Sequence, residues 1–313
     1  MSTFEGVHEP LAARDVLLGR TTHVRRLVPN KGRRMIGAWC FLDHYGPDDI
    51  KVTGGMWVPP HPHTGLQTVT WLFEGLGLHT DSLGSRQLIR PGQLNVMTAG
   101  HGICHAEVSP PEAPTRLHGV QLWVCLPDAV RDTAPPDFTH LAELPSYDEG
   151  GARVCVLVGS LGAVTSPAPA YTPIVGAEVT MPAGASVRLP LDPAFEHGVL
   201  VAQGTALVDG MTVERNAMSY LGTGRSSLTV RAEPGEPVVL LLLGGEPFEE
   251  EIVMWWNFIG RSHDEVVAQR EAWNGSGLDD RPDRFGAVAG FDGDRLLAPP
   301  MPNVRLRARG RAG

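Results

Sequence analysis

Residues 57–77, "WVPPHPHTGLQTVTWLFEGLG", place two histidines one residue apart at the mouth of a run of β-branched and aromatic residues. Pro59, Pro60 and Pro62 exclude a helix here, because proline lacks the N–H that a helix needs and clashes with the preceding turn. In the extended chain that remains, residues i and i+2 face the same side. His61 and His63 can therefore converge on one point while Pro62 faces away. The run that follows reads as a buried strand. Taken alone, His61-x-His63 is a weak signal, and two surface histidines beside a proline turn are the alternative.

Further along, "TAGHGICHAE" (98–107) repeats the spacing with His105 and Glu107. Two such pairs on neighbouring strands of a small barrel would bring three imidazoles and one carboxylate around one ion. That nitrogen and oxygen donor set suits Fe(II), Mn, Co, Ni, Cu or Zn. Closed structural zinc sites usually include thiolates, so this set reads as a working centre with a position left open.

The rest of the chain has the same β character. "QLNVMTA", "GVQLWVCL", "ARVCVLVGS", "HGVLVAQG", "ALVDGMTVE", "SLTVRA" and "PVVLLLLGG" each read as a strand bounded by turn residues. Strands this dense, with few helical stretches, favour barrels or sandwiches over a βαβ sheet. A proline-rich polar stretch, 127–151, breaks the pattern and reads as a connection between two β domains. One helix is expected late, where Ser262 and Glu265 form a capping box and Gly275 marks the stop. The two halves echo each other weakly, as duplication of one β unit would leave them.

Composition narrows the setting. The 313 residues, 42% hydrophobic and 19% charged, can bury a real core in one large or two ordinary domains. A formal charge of -9 argues against a general nucleic-acid or acidic-membrane surface. The C-terminal "RLRARGRAG", with Arg305, Arg307, Arg309 and Arg311 alternating, reads as a solvated tail, with an anion contact as the alternative. No run of about 18 apolar residues is present, and the N-terminus lacks the layout of a secretory signal. Cys40, Cys104, Cys125 and Cys155 show no paired spacing and read as reduced thiols of a cytoplasmic protein. Cys104 stands out because it adjoins His105.

The residues carrying these signals resemble a known family. Gly55, then His61-x-His63, then Gly100-x-Gly102-x-x-His105 is similar to the two-part cupin motif. The longer string "HPHTGLQTVTWLFEG…HTDSLG…IRPGQLNVMTAGHGICHAE" resembles the pirins, which are bicupins. "VRRLVP", "GAWCFLDHYGP" and "LHGVQLWVCLP" agree, and the likeness runs from about residue 20 to 275. It departs at Gln67, where cupins often carry a glutamate, at "EGLG" (74–77) and at His101, where the family has arginine. His101 is read as an exposed turn residue, with a pocket role as the alternative.

The resemblance implies an all-β bicupin: a metal-binding cupin over 1–130, a linker over 131–150, a second cupin over 151–245, and a helix and tail over 246–313 packing back on the barrels. It implies His61, His63, His105 and Glu107 as ligands of one divalent metal, Fe(II) first. Counting from matched turns puts Pro190, Asp192, Thr229 and Arg231 in the ligand slots of the second cupin. That set binds no metal, and His197 is read as a core or rim residue. Met56, Trp57, Trp71, Phe73, Trp123, Phe41 and Trp39 are candidates to touch a flat aromatic substrate.

The expected chemistry is that of a dioxygenase opening quercetin-like flavonols or related phenolics with O2, with Glu107 as the catalytic base. The competing expectation is a metal- and redox-responsive regulatory protein that binds a protein partner, to which Cys104 could add thiol chemistry. A monomer is expected because each chain already pairs two β domains.

Overall fold

Side-chain alternation assigns the layers. Along Leu66–Glu74, Val69 and Trp71 enter an apolar core shared with the second half of the chain, while Thr70 faces Glu107 inside the first barrel. Along Glu196–Gln203, Leu200 joins that shared core, and Val199 and Val201 fill the second barrel. The computed structural model describes residues 6–18, 22–276 and 283–312.

Each half pairs a large sheet with a four-stranded one. In the first, the large sheet runs Asp137–Leu141, Leu94–Thr98, Leu66–Glu74, Arg116–Cys125, Trp39–Asp49, Thr22–Val28, Arg14–Leu18, and the small one runs Trp57–His63, Ile103–Val108, Gly77–Asp81, Arg86–Ile89. The second half repeats the plan, and the two large sheets pack face to face. Leu42, Trp71 and Val120 meet Leu157, Leu200 and Leu241 there. Two indoles cross this interface with their N–H groups satisfied: Trp39 Nε1 donates to the Val175 and Gly244 carbonyls (3.2 and 3.1 Å), and Trp71 Nε1 to Glu178 Oε2 (2.6 Å). The all-β pair of tandem cupin-type barrels is therefore what the chain forms.

Three details differ from the expectation. His8–Leu11 pairs with Met218–Leu221, so the extreme N-terminal strand lies in the second barrel's sheet. The 127–151 connection supplies a strand to each half, Asp137–Leu141 against Leu94–Thr98 and Ser146–Glu149 against Ala152–Leu161. "ALVDGMTVE" is a hairpin, because Asp209 and Gly210 both take positive φ and turn the chain in two residues. The helix is His263–Gly275, capped by Ser262 Oγ accepting from Glu265 N at 3.2 Å.

Buried histidines make the fold pH-sensitive. His44 Nε2 lies 2.8 Å from His118 Nε2, and His197 is fully buried with neither ring nitrogen partnered among the described residues. Burial holds His44 down at about 3, and His118 and His197 at about 4, against an ordinary 6.5. With folded values depressed, the unfolded chain takes up protons first as pH falls below 6.5, so stability present at neutral pH is lost on the way to about 4. The melting temperature of metal-free protein is expected to fall through that window, and His197→Leu to shallow the fall. A melting temperature flat across the window would contradict this.

Candidate metal centre

The small sheet of the first barrel carries the site. Trp57–His63 is its edge strand, where prolines are tolerated because one side needs no ladder hydrogen bonds. It pairs with Ile103–Val108 so that His105 stands directly opposite His61. A register shift between His105 and Glu107 sets Glu107 opposite Val58. On the other side of Ile103–Val108, Asp81 stands opposite His105 and His79 opposite Glu107. Three strands thus present His61-x-His63, His105-x-Glu107 and His79-x-Asp81 on one inner face.

His61, His63 and His105 are buried and bring ring nitrogens within 4.8 Å of one another, a group able to hold a metal ion. His63 Nε2 and His105 Nε2 are 3.1 Å apart. Glu107 shares this face, but its carboxylate groups with His105 and His79 instead of with the whole triad, and Oε1 accepts from Thr70 Oγ1 at 3.3 Å.

Hydrogen bonds constrain which nitrogens of His61 and His105 carry lone pairs. His61 Nδ1 meets the Pro59 carbonyl at 2.9 Å, and a carbonyl only accepts, so Nδ1 is the donor and Nε2 is a free lone pair. Asp81 Oδ1 accepts from Leu83 N and Ser85 N (both 2.9 Å), and Oδ2 from His79 Nε2 at 3.0 Å. In its neutral form, with the proton on Nε2, His79 offers Nδ1 as an acceptor, and His105 Nδ1 lies 3.3 Å from it. In that tautomer His105 Nε2 is also a lone pair facing the triad. Burial, followed by the mutual proximity of the rings, holds His63 and His105 well below the ordinary value, and burial lowers His61 to about 4. Three neutral imidazoles and a nearby carboxylate fit a divalent transition metal.

Burial pushes Glu107 above the usual carboxylate range against opposition from His79 and Thr70. Burial also acts to raise Asp81, but its hydrogen bonds from His79 and Ser85 prevail and hold it below that range.

A cavity of about 350 Å³ adjoins the triad. Of the seven expected aromatic and apolar neighbours, Phe41, Trp123 and Met56 line it. Trp39 and Trp71 are buried in the interface between barrels, Phe73 packs against His118, and Trp57 is half exposed against Phe291. Phe41 stacks on Trp123 (4.0 Å, 13°) and carries the Arg26 guanidinium on its ring at 4.4 Å, while Arg26 pairs with buried Asp43 at 2.7 Å. Trp256, Asn257 and Leu296, from the second half of the chain, complete the wall. Trp256 takes φ +52, a left-handed conformation that a bulky residue adopts only under constraint.

His79 and Asp81 escaped the sequence reading, although "HTD" carries the i, i+2 spacing that marked the other two pairs. His101 is exposed and Cys104 is buried, its thiol pushed up to about 12 by burial, which makes it an inert packing residue. In the second barrel Pro190, Asp192, Thr229 and Arg231 are exposed, and the interior is packed with Val, Leu and Ala.

Two family models match the chain: Pirin over residues 21–124 and Pirin C-terminal cupin domain over residues 176–279. A Pseudomonas aeruginosa protein provisionally named quercetin 2,3-dioxygenase is 45% identical over 298 residues, 95% of this chain and 92% of that one. A pirin-like protein of Caulobacter vibrioides is 35% identical, with 80% and 87% covered. A crystal structure of quercetin 2,3-dioxygenase from Acinetobacter baumannii superposes with a TM-score of 0.89 at 42% identity, covering 96% of this chain and 97% of that one.

Proposed function

The chain belongs to the pirin family, and on that premise we propose that it is a metal-dependent dioxygenase opening quercetin-like flavonols or related phenolics with O2. The observation that carries this reading is the buried imidazole triad, its ring nitrogens within 4.8 Å of one another, bordering an aromatic-walled cavity. Relatives named for quercetin dioxygenation support the reaction class. We assign Nε2 of His61, His63 and His105 as metal ligands, and Glu107 as the fourth once its carboxylate turns from Thr70. Fe(II) is the first choice, and Mn, Co, Ni, Cu or Zn suit the same donors.

A bound divalent ion would supply Lewis acidity and a template for a phenol and O2. The chain's own residues supply the rest. Phe41, Trp123 and Met56 shape a largely apolar slot for a flat ring, and Gln121 and Asn257 offer polar contacts at its margin. Glu107 accepts the substrate's hydroxyl proton at Oε2 once its carboxylate has returned to Thr70, which then holds Oε1. Its raised pKa brings it nearer the range in which a base works at neutral pH.

Protein loaded with Fe(II) is expected to consume O2 with quercetin. Glu107→Gln should still take up metal at saturating concentration and lose about a hundredfold in kcat. Absence of uptake with quercetin and related phenols, on demonstrably metal-loaded protein, would contradict the enzymatic reading and leave a metal-bearing partner-binding protein. His79→Leu removes the acceptor that orients His105. It is expected to weaken metal binding about ten- to a hundredfold in chelator competition, and unchanged affinity would show that His105 needs no such support.

A further inference from the structure

The alternating arginines of the C-terminus do not form a free tail. Ile252 and Arg309 exchange main-chain hydrogen bonds at 3.0 Å in both directions, and the Arg311 carbonyl accepts from Arg34 N at 2.8 Å. Arg311 pairs with the buried carboxylate of Glu196 at 3.1 Å, and Leu306 N donates to His263 Nδ1 at 3.1 Å. The strap held this way walls one side of a cleft of about 890 Å³, and residues between 12 and 35 wall the other.

Seven basic side chains line this cleft and, among the described residues, no acidic one does. In a chain of net charge -9 that is a sharp local reversal of sign. Arg26 is committed to Asp43 and Arg305 to Asp264. Lys31, Arg307 and Arg309 form no ion pair with a described acidic residue, and Arg14, which forms none within 4.0 Å, acts on buried Asp43 only through its charge. Like charges gathered around one concavity repel each other, and a cleft of a single sign focuses an attractive field on an anion. Met35, Ile252, Met254 and Leu306 add apolar side chains to the same lining.

We propose that this cleft binds a small organic polyanion: an apolar body carrying two or more carboxylate or phosphate groups. The body rests on these apolar side chains. Arg307 and Arg309 on the strap and Arg14 and Lys31 opposite hold the anionic groups through charge-assisted hydrogen bonds, which arginine makes in paired, planar fashion. Arg26 borders both this cleft and the metal cavity, so the occupant lies beside the Arg26–Phe41 wall. The site stands independently of the chemistry at the imidazole triad.

The test is calorimetric titration of the full chain at low salt, with pyrophosphate and citrate as probes. At least one probe is expected to bind, more weakly as salt is raised. The Arg307→Gln/Arg309→Gln double variant is expected to lose about tenfold or more in affinity. Arg153→Gln/Arg188→Gln, an equal charge change on the second barrel's surface, should leave it unchanged. Preference for one probe tells phosphate from carboxylate. The proposal is overturned if neither probe binds, if the strap variant binds like wild type, or if the control loses as much. Binding of a single-stranded oligonucleotide in place of both probes would overturn it too.

Discussion

Every buried ring nitrogen in the first barrel has to be either a donor or an acceptor, and Asp81 fixes the pattern for its neighbours. Its carboxylate is saturated by two main-chain N–H groups and one imidazole. A neutral His79 then presents a lone pair to His105 Nδ1, and His105 in turn presents one to the triad. The Pro59 carbonyl does the same for His61. Left unpaired, each such group would cost roughly 1–3 kcal/mol on burial. The inner face of the small sheet is thus held in a configuration that offers lone pairs at one point.

The two barrels use one plan for opposite ends. In the second, inward positions carry Val, Leu and Ala, and side chains fill the interior. In the first, the corresponding layer carries histidine, aspartate, glutamate and threonine, and a cavity remains. The segment after the second barrel still reaches the site. Trp256, Asn257 and Leu296 close its wall, and the Leu296 N–H donates to the Pro60 carbonyl at 2.8 Å, tying the C-terminal segment to the strand that bears His61 and His63.

Much of this was legible in the sequence. Period-two alternation and turn residues gave the β architecture, and the capping box at Ser262 located the helix to within a residue. The pairs at His61 and at His105 announced themselves because prolines restrict the backbone around the first and glycines allow the turn before the second. What stayed hidden depends on long-range packing. Trp39 and Trp71 look like any aromatic near a motif, and only the second sheet, 100 residues and more away, turns them into interface anchors. Phe41 and Trp123 look the same in sequence yet line the cavity, and Phe41 shares strand parity with Trp39; the register shift that sets Phe41 opposite Trp123 and Trp39 opposite Val124 separates the two. The Asp209–Gly210 turn was visible and was passed over. His79-x-Asp81 had the right spacing, and Gly75, Gly77 and Gly84 flank it about as closely as Gly100 and Gly102 precede His105, so its signal was equally legible. The Leu296 contact and the strap across the basic cleft rest on irregular chain, which carries no periodic signal.

The most direct test of the central claim is the position of the ion in crystals of metal-loaded protein, located by anomalous scattering at the metal's absorption edge. One ion is expected at about 2.0–2.2 Å from Nε2 of His61, His63 and His105, with the Glu107 carboxylate swung from Thr70 to join it and His79 still bonded to His105. An ion held by His79, His105 and Glu107 away from His61 and His63, or no ion on this face at all, would contradict the account.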